Sequence, residues 1–247
     1  MKTRSLLAVV GFLCAGEAAA HGGLVDLSVY DRTEAKHLPV YWQEGRAYIV
    51  GKPGNEYQVS VRNRLREDVL TIVSVDGVNI ISGETAQPSQ TGYVLGAHQA
   101  YDILGWRKSL SETAAFYFTA LSNSYAARTG RPDNVGVIGV AVFRRKQERQ
   151  RLAQPYSSAP PSASAKERSA AAEDARLGTG HGRREASYAQ QVQFERATSA
   201  PAETITLYYD SYRNLLAQGV IRQPVPVAPL PQPFPGSFSK FVPDPQG

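Results

Sequence analysis

Short segments rich in β-branched and aromatic residues recur between residues 24 and 143, and clusters of turn-forming residues separate them. In one segment Val59 and Val61 alternate with polar residues, which is the pattern of a half-buried strand. Asp76-Gly77 lies between two such segments and predicts a hairpin, because both turn positions accept a positive φ. Many short strands joined by turns predict an all-β fold, which we expect to be an antiparallel β-sandwich of the immunoglobulin-like or jelly-roll-like type.

Helices are predicted to be few and short. Residues 111–115 and 211–218 are each expected to form one or two helical turns. Residues 135–143 are apolar on both faces apart from two glycines, as in a central strand. Residues 204–209 alternate in polarity but are too few to fold alone, so we expect them to dock as a strand on the sandwich.

Composition divides the chain into five predicted segments. Between the β region and the C-terminal part lies a stretch rich in Gln, Arg, Pro, Ser and Ala, which predicts a disordered linker. The end of the chain is rich in proline and is expected to be extended. The segments are a signal peptide (1–20), the sandwich domain (21–146), the linker (147–176), a C-terminal segment with one docked strand (177–222) and the Pro-rich tail (223–247).

The first twenty residues have the three-part layout of a secretory signal peptide. Lys2 and Arg4 precede an apolar run over residues 6–15, and small residues end the segment at Ala20. The run is shorter than the ~20 apolar residues that span a bilayer, and no later stretch is long enough either. We therefore expect cleavage after Ala20 and a mature chain that begins at His21 and is periplasmic or secreted.

The distribution of sulfur excludes several kinds of site. The chain has one Cys and one Met, and both lie within the predicted signal peptide. The mature protein is therefore expected to have no disulfide, no Cys-based zinc site and no cysteine nucleophile. An exported domain without disulfides has to be stabilised by a hydrophobic core.

The basic charge is concentrated around the predicted linker. Residues 21–143 carry a net charge of −1, residues 144–185 carry +5 and residues 186–247 carry none. This pattern fits either a solvated tether or a peripheral contact with an anionic envelope surface. The near-neutral folded part of an exported chain argues against a nucleic-acid partner.

A terminal His21 is the most distinctive chemical feature of the predicted mature chain. Its free amine and ring nitrogen can chelate copper together, and a second imidazole completes the histidine brace of lytic polysaccharide monooxygenases and some periplasmic copper carriers. The start of the predicted mature chain is similar to theirs. The possible second ligands are His37, His98 and His181, since imidazole suits copper. The other interpretation is an ordinary exposed terminus with no cofactor.

Two further segments contain candidate binding residues. The loop at residues 122–130 presents Tyr125 and Arg128, and Trp106 and Arg107 are expected to lie near it. Such a group of aromatic and basic residues fits a glycan or a peptide, although Tyr125 also fits as a plug at the end of the sandwich.

The second segment, Gly178 to Glu185, combines three glycines with an arginine pair. It fits either an anion-binding loop or a turn-rich return to the fold. It lacks the Gly-Lys-Ser/Thr sequence of a phosphate loop. The chain also shows no evident pair of nucleophile and base.

Several stretches together resemble a family of uncharacterised exported proteins of Gram-negative bacteria. They are residues 74–83, 92–95, 105–107, 124–130, 134–143, 177–185, 209–211 and 241–245. The resemblance covers most of the predicted mature chain, implies no activity and assigns no functional residues.

These observations predict an exported, non-catalytic binding or envelope-associated module without a cofactor. Its partner is expected to be an envelope protein or a glycan, bound near Tyr125 and Arg128. The alternative is a periplasmic copper-binding protein or copper oxidase that uses His21.

Overall fold

The computed structural model describes residues 19–147 and 176–222. The predicted signal peptide up to Ala18, the linker apart from its two end residues and the Pro-rich tail lie outside the described residues. The described chain is mostly β and forms two sheets with a few short helices, which confirms the predicted β class.

Eight strands form the first sheet, which we call sheet I. They are β1 (Ala20–His21), β2 (Val25–Asp31), β3 (Lys36–His37), β6 (Glu56–Asn63), β10 (Ala100–Ile103), β11 (Gly105–Arg107), β12 (Glu112–Ala120) and β14 (Leu177–Ala186). The main path runs β1-β2-β6-β12-β11. Strand β3 also pairs with β2, β10 with β6, and β14 with β12.

Seven strands form the second sheet, sheet II. They are β4 (Tyr41–Gln43), β5 (Arg46–Val50), β7 (Val69–Val75), β8 (Val78–Asn79), β9 (Tyr93–Leu95), β13 (Val137–Arg144) and β15 (Glu203–Asp210). Their order is β4-β5-β15-β13-β7-β8, with β9 also on β7. The helices are α1 (Tyr125–Arg128), α2 (Tyr212–Ala217) and two 3₁₀ turns, Leu121–Asn123 and Pro132–Asn134.

One hydrophobic core is shared by the two sheets. Sheet I contributes alternate residues, such as Leu27 of β2 and Val59 of β6, while sheet II contributes Ile49, Ile138 and Leu207. All five side chains are fully buried. This core supplies the apolar burial that a domain without disulfides needs.

The turn at Asp76-Gly77 forms as predicted. Its two residues have φ of +53° and +72°, and it joins β7 to β8. The helix expected at residues 211–218 is α2, which begins after Ser211, whose side chain accepts a hydrogen bond from the Asn214 amide at 3.3 Å.

The helix predicted at residues 111–115 is wrong, because this segment begins β12. Alternate residues Ala114, Phe116 and Phe118 enter the core. The strand pairs with β14 along one edge and with β11 and β6 along the other. Burial and pairing on both edges override the weak local helical preference.

The C-terminal segment is an integral part of both sheets rather than one docked strand. As expected, residues 204–209 form a strand, but β15 inserts between β5 and β13, with Leu207 opposite both Ala47 and Ile138. The β15–β5 pair is parallel, so the fold is not purely antiparallel. On its other edge β5 pairs antiparallel with β4, its hairpin partner.

The Gly178–Glu185 segment is a strand, not a loop. It forms most of β14 and pairs with β12. Its glycines allow close packing: an added Cβ would lie 2.2 Å from the Tyr117 ring at Gly180 and 2.6 Å from the Ser124 Cβ at Gly178. The glycines are therefore explained by close contact with neighbouring side chains and backbone, and no anion is needed to account for them.

The outer faces of the two sheets differ in what covers them. On sheet II, Phe194 packs against outward-facing Leu70 and Ile72. The cluster of Leu215, Val220 and Ile221 covers Tyr41, Tyr48 and Val50 on the same face. On sheet I the outward positions of β2 and β6 are polar and line a groove. In the described parts of the chain, no helix is long and apolar enough to cross a membrane.

Candidate functional site

A groove of about 520 Å³ crosses the outer face of sheet I. It follows from strict alternation in two central strands, because the residues of β2 and β6 that lie between core residues point outward. Strand β2 supplies Asp26, Ser28 and Tyr30 to the groove. Strand β6 supplies Gln58, Ser60 and Arg62.

Strand register arranges these side chains in rows. Ser28 lies opposite Ser60, which lies opposite Asp102 of β10. Paired residues point to the same face of a sheet, so the two hydroxyls and the carboxylate form a continuous polar row across three strands. The Ser60 hydroxyl donates a hydrogen bond to Asp102 Oδ1 at 2.5 Å, which fixes the carboxylate in the groove.

The rows on either side of this one differ in chemistry. On one side Asp26 lies opposite Arg62, and Asp26 Oδ1 is 3.6 Å from Arg64 Nη1. On the other side Tyr30 lies opposite both Gln58 and His37.

The rings of Tyr30 and His37 are 5.1 Å apart and nearly perpendicular, so one end of the groove is aromatic. The groove thus combines hydroxyl, carboxylate, amide and guanidinium groups with an aromatic end. Such a surface can hold a polar ligand by several hydrogen bonds at once.

The groove is not evident from the sequence, although the sequence contains one signal of it. Polar residues at alternate positions of residues 26–30 and 58–62 mark an outward face. What the sequence does not show is that β2, β6 and β10 are neighbours, which depends on pairing between distant segments.

Of the four predicted ligand-binding residues, the structure brings Trp106 and Tyr125 into contact. Their ring centroids are 4.7 Å apart. Trp106 is buried in the core, and its indole Nε1 donates to the Gly180 carbonyl at 3.0 Å. Tyr125 begins α1 and also stacks on His181 at 5.8 Å. Tyr125 is partly buried and packs against the core shared by the two sheets.

The two predicted arginines have different surroundings. The Arg107 guanidinium donates to the hydroxyl of Tyr93 at 2.9 Å, to that of Tyr101 at 3.3 Å and to the Ser187 carbonyl. It therefore ties β9, β10 and the segment after β14 together. Arg128 is the last residue of α1 and is exposed to solvent.

The histidines proposed as copper ligands lie on separate elements. His21 lies opposite Asp26 and His37 opposite Tyr30 on the same edge of β2, four residues apart, or roughly 14 Å at the rise of an extended strand. That spacing exceeds the reach of one imidazole towards a metal held by the His21 backbone nitrogen. His98 has a φ of +56° in the turn before β10.

His181 lies on β14, and burial first, then the charges of Lys108, Arg184 and Arg128, lowers its pKa. Within residues 19–147 and 176–222, no group of three or more His, Cys, Asp or Glu side chains is placed to hold a metal ion.

A second polar cluster is buried between the sheets around Asp76. Its carboxylate accepts hydrogen bonds from the Tyr209 hydroxyl at 2.5 Å, the Thr179 amide at 2.8 Å and the Gly136 amide at 2.9 Å. The Thr179 hydroxyl is also 2.6 Å from the Tyr57 hydroxyl. Burial raises the pKa of Asp76 to about 6, although these hydrogen bonds act in the opposite direction. The cluster joins strands of both sheets.

No family model, curated protein or solved structure matches this chain. The resemblance to exported proteins of Gram-negative bacteria stays a prediction.

Proposed function

We propose that this chain is an exported, non-catalytic binding module that holds a saccharide chain of the cell envelope in the groove of sheet I. In this proposal the two sheets form a β-sandwich, immunoglobulin-like or jelly-roll-like, and the groove is its ligand-binding face. The protein works in the periplasm or outside the cell. The basic linker, which lies outside the described residues, is a separate candidate for contact with an anionic surface.

The observation that carries the proposal is an open groove lined by outward polar side chains in three register-aligned rows. The corresponding face of sheet II is covered by Phe194 and Leu215. A face that packs against no other part of the described chain is available to a ligand, and a concave one offers more contact than a flat one.

The lining groups favour a ligand rich in hydroxyls. Carboxylate, amide and guanidinium groups are planar, and each can bond two neighbouring hydroxyls. The Tyr30 ring supplies an apolar surface for the C–H face of a sugar. Because Arg62 shares the groove with Asp26 and Asp102, the lining carries charges of both signs. It therefore does not favour a highly charged ligand.

Titration calorimetry of the exported protein with chitohexaose and maltohexaose tests this proposal. We expect at least one oligosaccharide to bind. Asp102→Ala is expected to weaken that binding by roughly 10-fold or more, since a hydrogen bond to a charged group contributes about 1.5–3 kcal/mol. Gln58→Ala is expected to weaken it by roughly 2- to 10-fold, since a hydrogen bond between neutral groups contributes about 0.5–1.5 kcal/mol. Asp133→Ala is the matched control, because Asp133 is an exposed carboxylate of the second 3₁₀ turn and does not line the groove.

Two results would contradict the proposal. Neither oligosaccharide binds the folded protein, or the two groove variants bind as well as the Asp133→Ala control. Circular dichroism of each variant shows whether the fold is retained, so that loss of binding is not confused with unfolding.

A further inference from the structure

We infer that the mature chain begins at Ala19, through cleavage of the Ala18–Ala19 bond, and not at His21. The inference rests on the proposed export of the protein and names the processing site. The bond lies at the edge of the fold, where Ala19 directly precedes β1.

Within the alanine run at residues 18–20, the sequence allows two cleavage positions. Signal peptidases favour small residues one and three positions before the cut. Gly16-Glu17-Ala18 satisfies this pattern for cleavage before Ala19, and Ala18-Ala19-Ala20 satisfies it for cleavage before His21. Cleavage after Ala19 would place Glu17 at the third position, which does not fit. The sequence pattern therefore allows cleavage before Ala19 and cleavage before His21 equally.

The structure distinguishes them through Ala20. Its side chain is 2% exposed and belongs to the core shared by the two sheets. Ala20 lies opposite Leu27, and with His21 it forms the whole of β1. Cleavage before His21 would remove a core side chain and half of this strand, whereas cleavage before Ala19 leaves both in place.

The turn that follows β1 is held firmly against sheet II. The Glu203 carboxylate accepts hydrogen bonds from the amides of Gly23 at 2.5 Å and Leu24 at 2.8 Å. A Cβ added at Gly22 would lie 2.6 Å from the Ile205 Cδ1, so this position requires close backbone approach. The β1–β2 hairpin is thus fitted to the fold as a unit, which is expected of a segment that the mature protein keeps.

Cleavage before Ala19 has two chemical consequences. Hydrolysis of the bond consumes one water and leaves a carboxylate on Ala18 and an amino group on Ala19. Because Ala19 lines the groove, the new amino group lies at its rim. His21 then has a peptide-bonded nitrogen, so the terminal amine of a histidine brace is missing.

Intact mass measurement of the full chain, expressed with its own leader and a C-terminal tag in a Gram-negative host, is the direct test. We expect a mature mass that corresponds to a start at Ala19. A mass lower by two alanine residues, corresponding to a start at His21, overturns the inference. A mass that retains the leader instead overturns the proposed export, so the two failures are distinguishable.

A second measurement tests the structural reason. Proteins that start at Ala19 and at His21 are prepared with removable N-terminal tags and compared by thermal unfolding. Losing the Ala20 side chain and half of β1 is expected to lower the Tm of the shorter protein by roughly 3–8 °C. Equal Tm values would remove the basis for preferring the Ala18–Ala19 bond.

Discussion

The two outer faces of this protein have the same architecture but opposite chemistry. On sheet I, core residues of β2 and β6 alternate with outward polar residues, and these outward residues line the groove. On sheet II, β7 is buried on both faces over most of its length, because Phe194 packs on its outward side chains.

The difference follows from the apolar content of each face. The outward side of β7, which contains Leu70 and Ile72, has to be shielded from water. Segments from the C-terminal part of the chain cover this face of sheet II. An outward row containing Ser28 and Ser60 is stable in water and stays open. An uncovered polar face is therefore the place in this fold where a ligand can bind.

The largest expected effect is on the covered face. Leu215 of α2 is 1% exposed and packs with Tyr41 and Tyr48. Leu215→Ala is expected to reduce the free energy of unfolding by about 3 kcal/mol, because it leaves a cavity under the helix. Urea denaturation measures the change. A loss below about 0.5 kcal/mol, the usual range for surface positions, would show that α2 does not cover sheet II as a stabilising element.

Asp76 is the buried counterpart of the exposed groove carboxylates. Its pKa is raised to about 6, so the folded state holds a proton that the unfolded state releases near pH 4. The contribution of Asp76 to stability is therefore expected to fall as the pH rises from about 4 to 6, by roughly 2 kcal/mol. Asp76→Asn should remove this component, which is measured as the difference between the pH–stability curves of the two proteins. Parallel curves would contradict it.

We expect Tyr125 to contribute to the stability of the fold and Arg128 to be a surface residue that contributes little. Tyr125 contacts the rings of Trp106 and His181. We expect Tyr125→Ala to reduce the free energy of unfolding by about 1–3 kcal/mol, since a partly buried aromatic contact is lost. Arg128→Ala is expected to change it by less than about 0.5 kcal/mol. Thermal unfolding of both variants decides this, and equal effects would argue against the plug interpretation.

The smallest effect on stability is expected in the groove. Ser28→Ala removes an outward hydroxyl from the open face, so the free energy of unfolding should change by less than about 0.5 kcal/mol. Thr71→Ala is the contrasting variant, because the Thr71 hydroxyl is buried in sheet II and donates to the Tyr93 carbonyl at 3.1 Å. If Ser28→Ala destabilises as much as Thr71→Ala, the groove face is part of the packed structure and not a ligand surface.

The candidate sites show which features of a binding surface can be predicted from residue type and which cannot. The aromatic and basic residue types correctly predicted that Trp106 and Tyr125 lie close together. In the structure, however, Trp106 is buried and the Arg107 guanidinium makes internal hydrogen bonds. The groove and the Asp76 cluster were missed, since each combines residues from strands that are far apart in sequence. Residue type alone does not show whether a polar group faces solvent, a ligand or a buried partner.

The sequence by itself determined the β class, the Asp76-Gly77 hairpin and the strand at residues 204–209. These features are local, because strand alternation and turn geometry depend on neighbouring residues. Only the tertiary structure decided that β15 lies parallel to β5, that residues 177–186 form a strand and that three polar rows make one groove. Pairing between distant strands depends on how the whole chain buries its apolar surface, and no short segment contains that information.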